Sequence, residues 1–212
     1  MRFLSLIGLT INSNYLELWP SVHDRKYINK LICPQTIYVA IGSNLTVAQK
    51  RNWPIENYIR VINELLITYP KFRFILVGHD KDVANNKQII MKCGNNVENF
   101  AGRLTLGQTC SILEKCKLFI GNDSGPMHLA AAMGVPVVEV SCCPINVEIS
   151  HVNAPERFGP YGVPSEICRP LLKHEDFTQF TAGQKNNTIL DVSVSDVVSA
   201  ATRLIKKLDL TK

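Results

Sequence analysis

KLFIGNDSGPMHLAAAMGVPVVEVS, residues 117–141, reads as strand, turn, helix, turn and strand, and that reading decides the fold. KLFIG (117–121) and VPVVEVS (135–141) are apolar runs of strand length. Between them Gly125-Pro126 opens a helix through LAAAM, with Pro126 suited to the first helical position, where a missing N–H costs little. Gly134 ends that helix. Two apolar strands joined by a helix form a βαβ unit of a parallel sheet.

Working outward, the same alternation starts at residue 36. TIYVAIGS (36–43) is a buried strand ending in a Gly-Ser turn, and after a basic loop Trp53-Pro54 begins a helix with Ile55, Tyr58, Ile59, Ile62, Leu65 and Leu66 on one stripe. RFILVG (73–78) is a second strand, followed by a polar helix over 80–91 and a weaker strand over 97–100. The helix TLGQTCSILEKC turns Leu104, Leu106, Cys110 and Leu113 inward. The last helix runs from Ser195, its expected N-cap, to Leu208. Five prolines between residues 142 and 190 mark loop-rich surface around an ICRPLL strand. The fold class is therefore α/β: a Rossmann-like parallel sheet with flanking helices over residues 36–212, preceded by a lead-in over 1–35 with a linker at SVHDRKYINK.

Composition narrows the partners. The 212 residues are 46% apolar and 19% charged, with a scattered net charge of +5. That suits an anionic small ligand or an acidic membrane surface and gives no argument for nucleic acid. No apolar stretch reaches the roughly 20 residues of a membrane span, so the expected location is cytoplasmic, at most peripheral to a membrane face. Asn44-Leu45-Thr46 and Asn186-Asn187-Thr188 are Asn-x-Thr triplets, read as chance matches in that setting. The seven cysteines are odd in number and form no CxxC pair, as expected of reduced thiols. The neighbours Cys142 and Cys143 lack the partner pair that a tetrahedral metal site needs.

In an open parallel sheet, ligands bind beyond the carboxyl ends of the strands, and three turns there carry chemistry. Asp123-Ser124-Gly125 precedes the helix that begins at Pro126, with His128 in its first turn. A helix N-terminus offers unpaired N–H groups and partial positive charge to a phosphate, and Gly125 lets the backbone approach closely. The same turn is equally readable as a plain N-cap, and His128 as a packed histidine. Ser43, with Lys50 and Arg51 beyond it, follows the first strand; the two cations suit a diphosphate, or a solvated basic loop. Asp80 and Asp82 follow the second strand, where an acid accepts hydrogen bonds from ribose hydroxyls. They also spell DxD, a metal–diphosphate motif elsewhere, although first-turn acids are common for dipole reasons alone.

The run NFAGRLTLGQTCSILEKCKLFIGNDSGPMHLAAAMGVPVVEV, with YVAIGS, KRNWP, FILVG and RFGPYGVPSEICRP, resembles glycosyltransferase family nine, the heptosyltransferases of lipopolysaccharide core synthesis. The resemblance implies a two-domain GT-B enzyme whose C-terminal Rossmann-like domain binds a nucleotide sugar and whose N-terminal domain holds the acceptor and supplies a catalytic carboxylate. It implies donor contacts from Asp123, Ser124, Gly125, Pro126 and His128, with Arg51 at the family's lysine position beside Lys50, and leaving-group stabilisation by His128 and Arg51. Ser43 falls in the phosphate-facing turn, Asp80 or Asp82 at the ribose, and Leu104 near the base. No metal or other cofactor is expected.

The lead-in already looks like the family's interdomain region, so the acceptor domain, with the general base, is expected to be missing or separate. Two functions remain open. One is the donor half of an inverting glycosyltransferase using an ADP-heptose-like donor and a lipopolysaccharide-type acceptor. The other is a non-catalytic nucleotide-sugar-binding module, a truncated or split product needing a separate acceptor domain. A lone half is also expected to expose the surface that faces its missing partner, and so to self-associate.

Overall fold

In this computed structural model the described residues are 16–43, 51–145, 147–150, 153–171 and 188–211. In chain order they form helix α1 (Val22–Asn29), strand β1 (Ile37–Gly42), α2 (Ile55–Thr68), β2 (Phe72–Leu76), α3 (Val83–Cys93), β3 (Val97–Asn99), α4 (Leu106–Leu113), β4 (Cys116–Asn122), α5 (Gly125–Ala132), β5 (Val137–Val140), the short α6 (Pro155–Phe158), β6 (Ser165–Cys168) and α7 (Val194–Lys207). The six strands make one parallel sheet in the order β3-β2-β1-β4-β5-β6. The order reverses between β1 and β4, which opens a crevice beyond their carboxyl ends. The α/β, Rossmann-like expectation holds.

The two faces of the sheet carry separate cores, because alternate side chains on a strand point to opposite faces. Val39, Ile41, Phe74, Leu76, Leu118, Ile120, Val138 and Val140 pack under α2, α3 and α7. Tyr38, Ala40, Ile75, Phe119 and Val137 pack under α1, α4 and α5. Strands covered on both faces read as continuous apolar runs, which is why they were easy to recognise.

The departures from the sequence reading have local causes. The expected linker is partly helical: Ser21 accepts from the Asp24 amide at 3.1 Å, and the Asp24 carboxylate accepts from the Ser21 amide at 3.1 Å. This capping box starts α1, whose Ile28 is fully buried in the second core. The last helix is capped by Ser193 rather than Ser195; the Ser193 hydroxyl accepts from the Asp196 amide at 3.0 Å, so the helix begins one position earlier than expected. Leu106 is exposed instead of inward-facing, since α4 turns Cys110, Ile112 and Leu113 to the core and Leu106 lies at its first, outer position. The polar segment after β2 begins as a 3-10 turn over Asp80–Asp82 before α3. The strand expected at ICRPLL is β6, two residues earlier, and it stops short of Pro170, which has no N–H to give to a ladder.

Candidate functional site

β4 ends at Asn122 and α5 starts at Gly125, so Asp123 and Ser124 form the whole strand-to-helix turn at the edge of the crevice. Strand alternation sends Asn122 to the first core, where its Oδ1 accepts from the Tyr58 hydroxyl at 2.7 Å. Asp123 faces the other side of the sheet, on the same face as α5. Its carboxylate accepts from Arg51 Nη2, whose second contact is the Asp123 carbonyl at 3.4 Å. His128 Nε2 lies 3.5 Å from the other carboxylate oxygen. One carboxylate thus holds a guanidinium and an imidazole side by side, both partly exposed.

The hydrogen bond to Asp123 holds the His128 imidazolium above its ordinary range, against partial burial, with the Asp123 and Glu139 charges adding to the rise. The site therefore keeps cationic character towards neutral pH. Ser124 occupies the N-cap position of α5, yet its side chain makes no capping hydrogen bond; its hydroxyl donates to the Asn122 carbonyl at 3.2 Å. Pro126 stands at the second helical position. A methyl group placed on Gly125 would meet nothing within 4 Å among the described residues, which leave the space beside the first turn open.

Of the other expected residues, Ser43 directly follows β1 next to this turn, but its side chain is committed to the fold. Buried, it donates to Asn86 Oδ1 at 2.8 Å, and Asn86 Nδ2 donates to Asn99 Oδ1 at 3.1 Å. This Ser43–Asn86–Asn99 relay ties the ends of β1 and β3 to α3 and was missed in the sequence, because each member belongs to a different element. Asp80 and Asp82 separate: Asp80 is exposed beside the His79 imidazole, whereas Asp82 is buried with its carboxylate accepting from the His79 amide at 2.8 Å. Only Asp80 presents its carboxylate outward. Leu104 packs at the margin of the second core. Lys50 lies outside the described residues, as do Asn44, Asn186 and Asn187 of the Asn-x-Thr triplets.

Two neighbours were not singled out in the sequence. Arg169, just after β6, donates from Nε to the Cys143 carbonyl at 2.9 Å and pairs with Glu156, which pins the loop after β5. Glu139, in mid-β5, is a buried carboxyl among valines, and burial and the charge of Asp123 push its acid up to about 7. A charge inside a fully covered parallel strand was the available signal. All seven cysteines are free thiols, and burial pushes the Cys142 and Cys143 thiols up. Among the described residues, no three His, Cys, Asp or Glu side chains gather as a metal site, and no helix is long and apolar enough to cross a membrane.

Comparison with known proteins agrees with the fold. The family model for glycosyltransferase family 9 (heptosyltransferase) matches residues 12–142. Lipopolysaccharide core heptosyltransferase OpsX of Haemophilus influenzae is 28% identical over 138 residues, covering 65% of this chain and 40% of its own. The family 9 glycosyl transferase of Veillonella parvula superposes with a TM-score of 0.78 at 21% identity, over 97% of this chain and 58% of its own. The E. coli heptosyltransferase WaaC with ADP superposes with a TM-score of 0.64 at 17% identity, over 97% and 53%. The chain thus spans about half the length of these relatives.

Proposed function

The chain belongs to glycosyltransferase family 9, and from that premise we propose that it is the donor-binding half of a heptosyltransferase, taking an ADP-heptose-like nucleotide sugar for transfer to a lipopolysaccharide-type acceptor. The observation that carries this reading is the uncapped, open first turn of α5, flanked by Arg51 and His128 on one carboxylate. A solved relative carries ADP, whose diphosphate matches that cluster in charge. The turn's open space, its partial positive charge and two fixed cationic donors suit a pyrophosphate.

In the proposed reaction an acceptor hydroxyl attacks the anomeric carbon while a carboxylate takes its proton. The bond from that carbon to the diphosphate breaks, and the departing negative charge is received by the α5 N-terminus, Arg51 and His128. Asp123 holds these two side chains in place, and Asp80 reaches for the ribose. Protein donors alone suffice for the leaving group, so the proposal uses no metal. The protein would work at the cytoplasmic face of the membrane that carries the acceptor.

Because the chain spans about half of its relatives, the acceptor site and the general base are assigned to a separate domain. The second reading, a donor-binding module that transfers nothing by itself, rests on the same fact. Calorimetry with ADP, followed by a transfer assay with and without a separately supplied acceptor domain, tests both. The proposal expects ADP binding that Asp123→Ala weakens at least tenfold, the scale of one lost charge-assisted contact, and turnover only with the added domain. Unchanged ADP affinity in Asp123→Ala would refute the site.

A further inference from the structure

Glu139 is the one buried carboxyl of the described core with an oxygen left over. It is 1% exposed, between buried valines on β5, and its Oε2 has no hydrogen-bond partner among the described residues. In the β4–β5 register it lies opposite Gly121, and two residues beyond Gly121, on the same face of the sheet, comes Asp123. The carboxyl therefore sits below the turn that holds Arg51 and His128. A methyl group on Gly159, at the end of α6, would come within 3.2 Å of Oε2, so that backbone closes over the carboxyl from outside.

The charged and polar groups around Glu139 come from four directions. Asp123 faces it from the β4–α5 turn, His128 from α5, Arg169 from beyond β6, and Ser141 from its own strand, with Glu156 of α6 one step removed on Arg169. Burial and the charge of Asp123 favour the protonated acid; Ser141, His128 and Arg169 favour the carboxylate. The balance leaves the acid at about 7, where a modest change of local charge changes its protonation. A diphosphate arriving at Arg51 and His128 is such a change.

We propose that Glu139 is a positioning residue whose protonation is coupled to diphosphate binding: the bound diphosphate draws one proton from solvent onto the Glu139 carboxyl, and its departure returns it. The proposal rests on the reading of this turn as a diphosphate cradle. No covalent bond changes; the proton enters from and leaves to the buffer. The ionised carboxylate, in turn, repels the ligand from below the turn.

The test is ADP affinity of wild type and Glu139→Gln at pH 6 and pH 8. Glutamine keeps the shape and removes the charge; because the Glu139 charge also raises His128, the His128 midpoint is followed in both proteins by proton NMR of the imidazole and its share is taken out of their ratio. A coupling of one pKa unit predicts equal affinities at pH 6 and about fivefold tighter binding by Glu139→Gln at pH 8. A ratio that is the same at both pH values, or weaker binding by the variant at pH 8, overturns the proposal. Folded wild type that binds no ADP at either pH overturns the cradle reading and this proposal with it; binding without the pH-dependent ratio overturns this proposal alone. Independently of any variant, carbon NMR of glutamate-labelled wild type should show the Glu139 titration midpoint rising when ADP is added, and an unmoved midpoint overturns the proposal.

Discussion

Asp123 is the residue through which the proposed chemistry passes, because two cationic side chains depend on its one carboxylate. Its effect on His128 has a sign that can be measured. The folded imidazolium is favoured by Asp123, so Asp123→Asn should lower the His128 titration midpoint, read by proton NMR of the imidazole ring. A midpoint that stays raised would mean that Asp123 is not its cause. The stabilisation His128 gives the fold is complete below its ordinary midpoint and fades as pH rises through the folded one. Glu139 behaves in the opposite sense to an ordinary paired carboxylate. Its folded value lies above the usual 4.5, at about 7, so the folded state binds the proton more tightly than the unfolded chain and wild type loses stability as pH rises between those values. Glu139→Gln escapes that loss. Its thermal stability relative to wild type should therefore improve by about 3 kcal/mol from pH 4.5 to pH 8, and a gap independent of pH would contradict the assignment. Of these residues the sequence announced Asp123 and His128, because DSGPMH is a compact local pattern at a strand end. It hid Glu139, since the run VPVVEVS is read as a strand from its apolar majority, and only the packed sheet shows that the odd carboxyl faces the Asp123 turn.

Among the elements, β1 and β4 matter most, because the crevice exists only where their ends meet. Gly121 of β4 sets how close they come. A methyl group there would lie 2.7 Å from the Gly42 carbonyl oxygen and 2.8 Å from the Phe119 ring. Neither neighbour is the loose end of a flexible chain, so Gly121→Ala must push β4 from β1 or shift Phe119 in the core. Overpacking of this kind costs about 1–3 kcal/mol, measurable as a lowered midpoint in urea unfolding; an unchanged midpoint would show that the strands yield freely. The buried strands were legible as apolar runs and the amphipathic helices α2 and α7 by their period. Helix starts were less so. Ser193 and Ser195 are both good caps in sequence, and the choice rests on which hydroxyl meets the Asp196 amide. The lead-in helix α1 escaped for a related reason: its charged residues hide a single core contact at Ile28, although Ser21 and Asp24 spell its capping box. The commitment of Ser43 to Asn86 was out of reach, being a meeting of β1 with α3 that no local pattern records.

For the molecule as a whole, the proposed nucleotide site lies at the reversal point of a six-stranded parallel sheet, in a chain about half the length of its relatives. The parallel sheet and its cover of helices follow from the alternation of strands and helices in the sequence, whereas the strand order is a long-range outcome that no local pattern records. The central claim is that the open turn at Gly125, with Arg51, Asp123 and His128, receives the diphosphate of the donor. Because a methyl group on Gly125 meets none of the described residues, Gly125→Ala tests the space without disturbing the described fold. The direct measurement is an amide NMR titration of wild type and Gly125→Ala with ADP. The account predicts that ADP moves the amide signals of Asp123, Ser124, Gly125, Met127 and His128 and of Gly42 in wild type, and that Gly125→Ala keeps its folded spectrum and melting temperature while binding ADP at least tenfold more weakly, as the loss of one close backbone–phosphate contact implies. A folded wild type in which saturating ADP leaves those signals unmoved, or a Gly125→Ala protein that binds ADP as tightly as wild type, would contradict it.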